Sequence, residues 1–134
     1  MAFEVPSNQG ELRMDPIDIK TAEHYSWGGV CDGWHLLKTP GLSVIQERVP
    51  AGAGEVWHHH SSARQFFYVL TGTARLEFDD DTAILRAGEG LHVPPGIRHR
   101  FANHSDEAVT FLVVSSPSTS NDRVEDSVED SEGR

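Results

Sequence analysis

Cysteine is almost missing from the 134-residue chain. Cys31 stands alone, which excludes an internal disulfide and a cysteine metal cluster. Lysine is nearly as scarce, present only as Lys20 and Lys38, and Lys and Arg together number 11 against 21 Asp and Glu, for a formal charge of −10. That balance argues against a nucleic-acid partner, because tracking a phosphate backbone needs clustered cations. No apolar run approaches the ~20 residues that span a bilayer, so no membrane segment is expected. The N-terminus has no basic region followed by an apolar stretch, so no secretory signal is expected and the expected location is the cytoplasm. Helical patterning is missing too: no stretch keeps apolar residues at i, i+3, i+4 and i+7 for a dozen residues.

The dominant period is two. Short apolar or β-branched runs cover Leu42 to Val49, Gln65 to Thr71, Thr73 to Phe78, Ala83 to Arg86, Gly90 to Val93, Arg100 to Ala102 and Val109 to Ser115. Turn signals such as Pro40-Gly41, Thr71-Gly72, Ala87-Gly88 and Pro94-Pro95-Gly96 separate them. Many short strands at such spacing predict an all-β sandwich or barrel. We place this barrel over residues 15–116. Residues 1–14 are weakly patterned and read as a flexible N-terminal extension, with Met14 an alternative start to Met1. Pro117 to Arg134 carries six acids, two bases and no aromatic residue, and is expected to be a disordered acidic tail.

Against these scarcities stand eight histidines. His58 and His60 lie in Glu55-Val-Trp-His-His-His-Ser. On a strand, side chains at i and i+2 share a face about 7 Å apart, so the two imidazoles can converge on one metal ion while His59 faces away. A hairpin after His60 would bring Gln65 beside the pair, with Phe67 and Val69 on the same face. Val56 and Phe101 would extend this apolar wall. Further on, Pro94-Pro95-Gly96 enforces a turn that launches a strand at His99. Neutral imidazoles suit Zn, Cu, Ni and Fe and leave a divalent ion its charge. His24, His35, His59 and His104 read as surface or hydrogen-bonded residues, and the facing of His92 stays open. Trp27 and Trp34 are read as core packing or a cap on the pocket, and Cys31 as a small packed residue.

The two histidine units together resemble the cupin superfamily. In its first motif Gly52, His58, His60 and Gly72 match, and Gln65 stands where glutamate is usual. In its second motif Gly88, Pro94, Gly96, His99 and Asn103 match at every position. The resemblance runs from about Asp15 to Ser116, with a gap of 15 residues between the motifs. It implies a double-stranded β-helix (jelly-roll) barrel and a divalent metal ion, Fe, Mn, Ni, Co or Zn, held by His58, His60, Gln65 and His99. The segments Glu23 to Leu37, Ser43 to Arg48 and Ala63 to Leu70 resemble small single-domain bacterial cupins of no established reaction. Small cupins commonly pair, and Phe66, Tyr68 and Leu70, opposite Gln65, would supply a homodimer face.

Gln65 shapes the expected chemistry. A carboxamide is neutral, so the ion keeps its full charge as a Lewis acid, and the obvious carboxylate base is lost. A His-His-Gln-His set resembles that of cupins acting on unsaturated sugar acids. Arg48, Arg64, Arg98 and Arg100 are candidates to bind a substrate carboxylate. Three readings remain open: an enzyme of isomerase or lyase type on a small molecule, a dioxygenase-type enzyme, and a non-catalytic module that binds or senses a small ligand. No catalytic residue is singled out.

Overall fold

The computed structural model describes residues 14–119 and 122–126. Nearly all of the expected N-terminal extension and the segment beyond Asp126 lie outside the described residues. Eleven strands and no helix occur among the described residues.

In chain order they are β1 (Glu23–Trp27), β2 (Cys31–Lys38), β3 (Ser43–Val49), β4 (His58–His60), β5 (Arg64–Thr71), β6 (Thr73–Phe78), β7 (Thr82–Arg86), β8 (Gly90–Val93), β9 (His99–Ala102), β10 (Val109–Ser116) and β11 (Arg123–Glu125). One antiparallel sheet has the order β1-β2-β3-β10-β5-β8, the other β11-β4-β9-β6-β7. This is the jelly-roll barrel expected from the sequence.

Alternation builds the core. In β5, Gln65, Phe67 and Val69 point inward while Phe66 and Tyr68 point out. Inward residues of β9 and β10 meet them, and Phe67, Phe101 and Phe111 are at most 1% exposed. The Phe101 and Phe111 rings stack with centroids 3.8 Å apart. Each such ring contributes roughly 1.5–3 kcal/mol by leaving water.

Gly72 turns the chain between β5 and β6 at φ 87°, and a Cβ there would lie 2.7 Å from the Ala108 carbonyl oxygen. A side chain is excluded by both conformation and space. Asn103 is buried and fully used: its amide donates to the Val49 and Glu107 carbonyls, and its oxygen accepts from Ser105.

Three expectations are corrected. β4 and β5 do not form a hairpin. β4 pairs with β9 and β11, and β5 pairs with β10 and β8, so Gln65 approaches the histidines from the facing sheet. Val56 does not join the apolar wall: it precedes β4 and is 48% exposed, whereas Phe67, Val69 and Phe101 are buried. Finally, part of the expected disordered tail is ordered. Arg123–Glu125 pair with β4, and Ser61 N–H donates to the Asp122 carbonyl. The free edge of β4 offers backbone partners that outweigh the segment's poor composition.

Candidate metal centre

Register brings the three motif histidines together. His58 of β4 lies directly opposite His99 of β9, and His60 is two residues along on the same face. All three are buried, and one nitrogen from each lies within 4.8 Å of the others. Their rings are 4.5 Å apart for His58 and His99, and 5.1 Å for His58 and His60.

The other nitrogens are engaged. Nδ1 of His58 meets the Val56 carbonyl at 2.8 Å, and Nδ1 of His99 meets the Ile97 carbonyl at 2.8 Å. A carbonyl only accepts, so both Nδ1 atoms carry the proton and both Nε2 atoms keep a lone pair. Burial pushes both pKa values down to about 4, and burial lowers that of His60 as well. The triad is therefore neutral near pH 7, as metal ligation requires.

Gln65 faces this triad from β5. Its Nε2 donates to Ser115 Oγ at 3.1 Å, which leaves Oε1 as the free end. That buried oxygen has no hydrogen-bond partner, and neither has the buried Nε2 of His99. Two orphaned lone pairs beside two further imidazoles are a donor set that a divalent cation satisfies. The chemistry of the residues thus fits the ion.

A cavity of about 120 Å³ opens beside His58, His60 and Gln65. That is below the roughly 300–1,000 Å³ of pockets for drug-sized ligands, so it suits the reacting end of a small molecule. Among its lining are Glu47, Glu55, Tyr25 and Arg123. A larger hollow of about 360 Å³, walled by Gly52, Glu55, Arg100 and His104, contains none of the three histidines.

Gln65 takes the place of the usual ligating carboxylate, but the cavity holds two other carboxyl groups that the motifs do not mark, Glu47 and Glu55. Glu47 is placed by a row across the sheet, in which Tyr25 opposes Gly33 and Gly33 opposes Glu47. With no side chain on Gly33, the Tyr25 ring crosses it, and the Tyr25 hydroxyl donates to Glu47 Oε2 at 2.7 Å. Burial and then the neighbouring Glu55 push the Glu47 pKa up to about 8, against the hydrogen bond from Tyr25. Burial and Glu47 hold Tyr25 protonated. Glu55 accepts the Phe101 N–H at 2.9 Å and lies 3.9 Å from His58 Nε2, and burial raises its pKa too.

The remaining predicted residues lie elsewhere. His24 bonds Asp32, His59 meets Asp126, and His104 meets Glu77. His35 packs on Tyr25, and His92 is exposed on β8. Trp27 packs against the core, and Cys31 is buried there. The four candidate arginines do not line the cavity. Arg48 and Arg64 are exposed, Arg98 pairs with Asp79, and Arg100 bonds Glu77. The arginine that does, Arg123, comes from the segment set aside as tail.

The family model for the cupin domain matches residues 45–115, just over half the chain and both histidine units. The chain belongs to the cupin family. This cupin is 38% identical over 60 residues to the polyketide synthase CurC of Streptomyces cyaneus, a match covering 45% of this chain and 39% of that one. It therefore spans well under half the length of that relative, and of the protein SchB of Streptomyces halstedii. Among solved structures it resembles the polyketide cyclase RemF of Streptomyces resistomycificus, with TM-score 0.71 at 20% identity over 86% of this chain and 88% of that one. It also resembles a sugar phosphate isomerase of the cupin superfamily from Silicibacter pomeroyi, with TM-score 0.66 at 23% identity over 76% and 75%. At these identities the structural likeness establishes the fold.

Proposed function

We propose that this cupin is a metal-dependent enzyme of the isomerase or lyase type, which moves a proton next to a carbonyl group of a small molecule. The ion would be held by His58, His60, His99 and the Oε1 of Gln65. Once bound, a divalent ion supplies Lewis acidity to a substrate carbonyl or hydroxyl oxygen. The chain's own groups carry the proton.

The observation that supports this reading above dioxygenase chemistry is the Tyr25–Glu47 pair, which shares its cavity with His58, His60 and Gln65. A carboxyl that titrates near pH 8 is poised to take and return a proton at neutral pH, and this is the property general acid–base catalysis needs. The Tyr25 hydroxyl fixes Oε2 and leaves Oε1 of Glu47 for the substrate. Glu55 is tied to the β9 backbone, so its carboxyl is held in one orientation beside His58. Arg123 gives the cavity a cation for a carboxylate or phosphate on the substrate. A sugar acid or other oxo acid meets these requirements. Isomerisation, which the name of one solved neighbour specifies, needs no oxidant. The protein works as a homodimer in this reading, with exposed Phe66, Tyr68 and Leu70 covered by the partner.

The reaction type can be tested before the substrate is known. Metal-loaded protein is incubated in deuterium oxide with a panel of keto acids, ketose phosphates and uronates, and C–H exchange is followed by NMR. We expect exchange in at least one compound class, reduced roughly 100-fold or more in Glu47→Gln, a typical loss for a general base. Oxygen uptake without exchange, or exchange indifferent to Glu47→Gln, would contradict the proposal.

A further inference from the structure

The three histidines are not oriented alike. His58 and His99 each donate Nδ1–H to the carbonyl two residues earlier, just before their own strands, Val56 and Ile97. His60 has a different partner: its Nδ1 meets Asp122 Oδ1 at 3.1 Å, across 62 residues of sequence. We propose that Asp122, in the C-terminal segment, is the positioning residue of the metal centre, holding His60 as the tautomer whose Nε2 is bare and aimed at the site.

This rests on the metal site proposed above, and its own support is separate. A carboxylate is an acceptor only, so the hydrogen bond assigns the proton to Nδ1. The carboxylate is itself fixed. Its other oxygen, Oδ2, accepts the backbone N–H groups of Ser62 at 3.0 Å and Ala63 at 2.8 Å. Those two residues lie in the short connection between β4 and β5, so Asp122 locks the loop and the imidazole together. β11 adds the register His60 to Arg123, and the Asp126 N–H donates to the Trp57 carbonyl at 2.9 Å. The segment is therefore tied to β4 on both sides of β11. The pair is well shielded, at 5% exposure for the His60 side chain and 13% for that of Asp122. A carboxylate behind a ligating histidine also raises the basicity of the ligating nitrogen.

Asp122→Asn in the full-length protein tests the idea. The asparagine oxygen can still accept from Ser62 and Ala63, which turns the NH₂ towards His60 and demands that Nδ1 become the acceptor. Two readouts apply. In metal-free protein, imidazole ¹⁵N shifts should show His60 protonated on Nδ1 in wild type and on Nε2 in Asp122→Asn. In a chelator competition with Zn²⁺, the variant should bind roughly 10–100-fold more weakly, the usual cost of losing such a partner. Asp126→Asn, whose carboxylate faces His59, should change neither. Wild-type His60 protonated on Nε2 overturns the proposal even if the variant fails to fold. So does an Asp122→Asn protein that binds Zn²⁺ as tightly as wild type. If wild type binds no ion while His60 is held on Nδ1, the metal reading fails and the positioning role of Asp122 stands.

Discussion

Gln65 is where the residue scale matters most. Its amide oxygen is buried without a partner, and an unsatisfied buried acceptor costs on the order of 1–3 kcal/mol. A cation next to that oxygen would offset the cost. We predict that Gln65→Glu tightens metal binding by roughly tenfold, about 1.4 kcal/mol, because it adds a charge while Ser115 can still bond the second oxygen. Gln65→Leu should weaken it. Chelator competition reads both, and loss of the ion in Gln65→Glu would remove Gln65 from the ligand set. Strand alternation made His58 and His60 legible in the sequence, and the Pro-Pro-Gly turn did so for His99. Gln65 and the four as one ligand set came from the resemblance to cupins, since the hairpin expected to carry Gln65 does not form. Glu47 and Tyr25 were not legible, because 22 positions separate them and only the pairing of three strands brings them together. Asp122 and Arg123 were hidden differently, inside a segment whose composition alone reads as unfolded.

Gly33 sets the geometry of three strands. A Cβ there would lie 2.3 Å from Tyr25 Cζ, well inside contact distance. Gly33→Ala must therefore push the Tyr25 ring off its row and away from Glu47. Overpacking of this kind costs about 1–3 kcal/mol, which urea unfolding measures. The proton exchange supported by Glu47 should fall further than this loss of stability explains. Gly41→Ala is the control, since nothing lies within 4 Å of a Cβ there. Equal stability of Gly33→Ala and wild type would mean that the ring does not cross Gly33. At this scale most of the sandwich was readable, since β3, β5, β6, β7, β8, β9 and β10 fall where period two and turn residues put them. β1 and β2 mix His, Asp and Gly into the alternation, so hydrophobicity alone does not mark them. β4 is short, and its sheet partners are remote in sequence, which is why a hairpin looked natural and is absent.

For the whole molecule, stability should carry the signature of Glu47. Its pKa is raised from 4.5 to about 8 in the folded state, so folded protein holds the extra proton between those values. The stabilisation is complete below the ordinary carboxylate value and is lost as pH rises through about 8. Metal-free wild type should lose stability between pH 6 and pH 9, and Glu47→Gln should lose less, as urea midpoints in the presence of a chelator would show. Equal losses would contradict the assignment. The molecule as described is a closed sandwich whose inner faces supply imidazoles from one sheet and an amide, a carboxyl and a phenol from the other. In the proposed reading these groups surround a divalent ion. Elemental analysis of untagged full-length protein, loaded in turn with Fe, Mn, Ni, Co and Zn, addresses that most directly. Wild type should hold near-stoichiometric metal, and His58→Ala and His99→Ala almost none. A wild-type protein that stays metal-free through every loading, or variants that hold as much metal as wild type, would contradict the proposed reading.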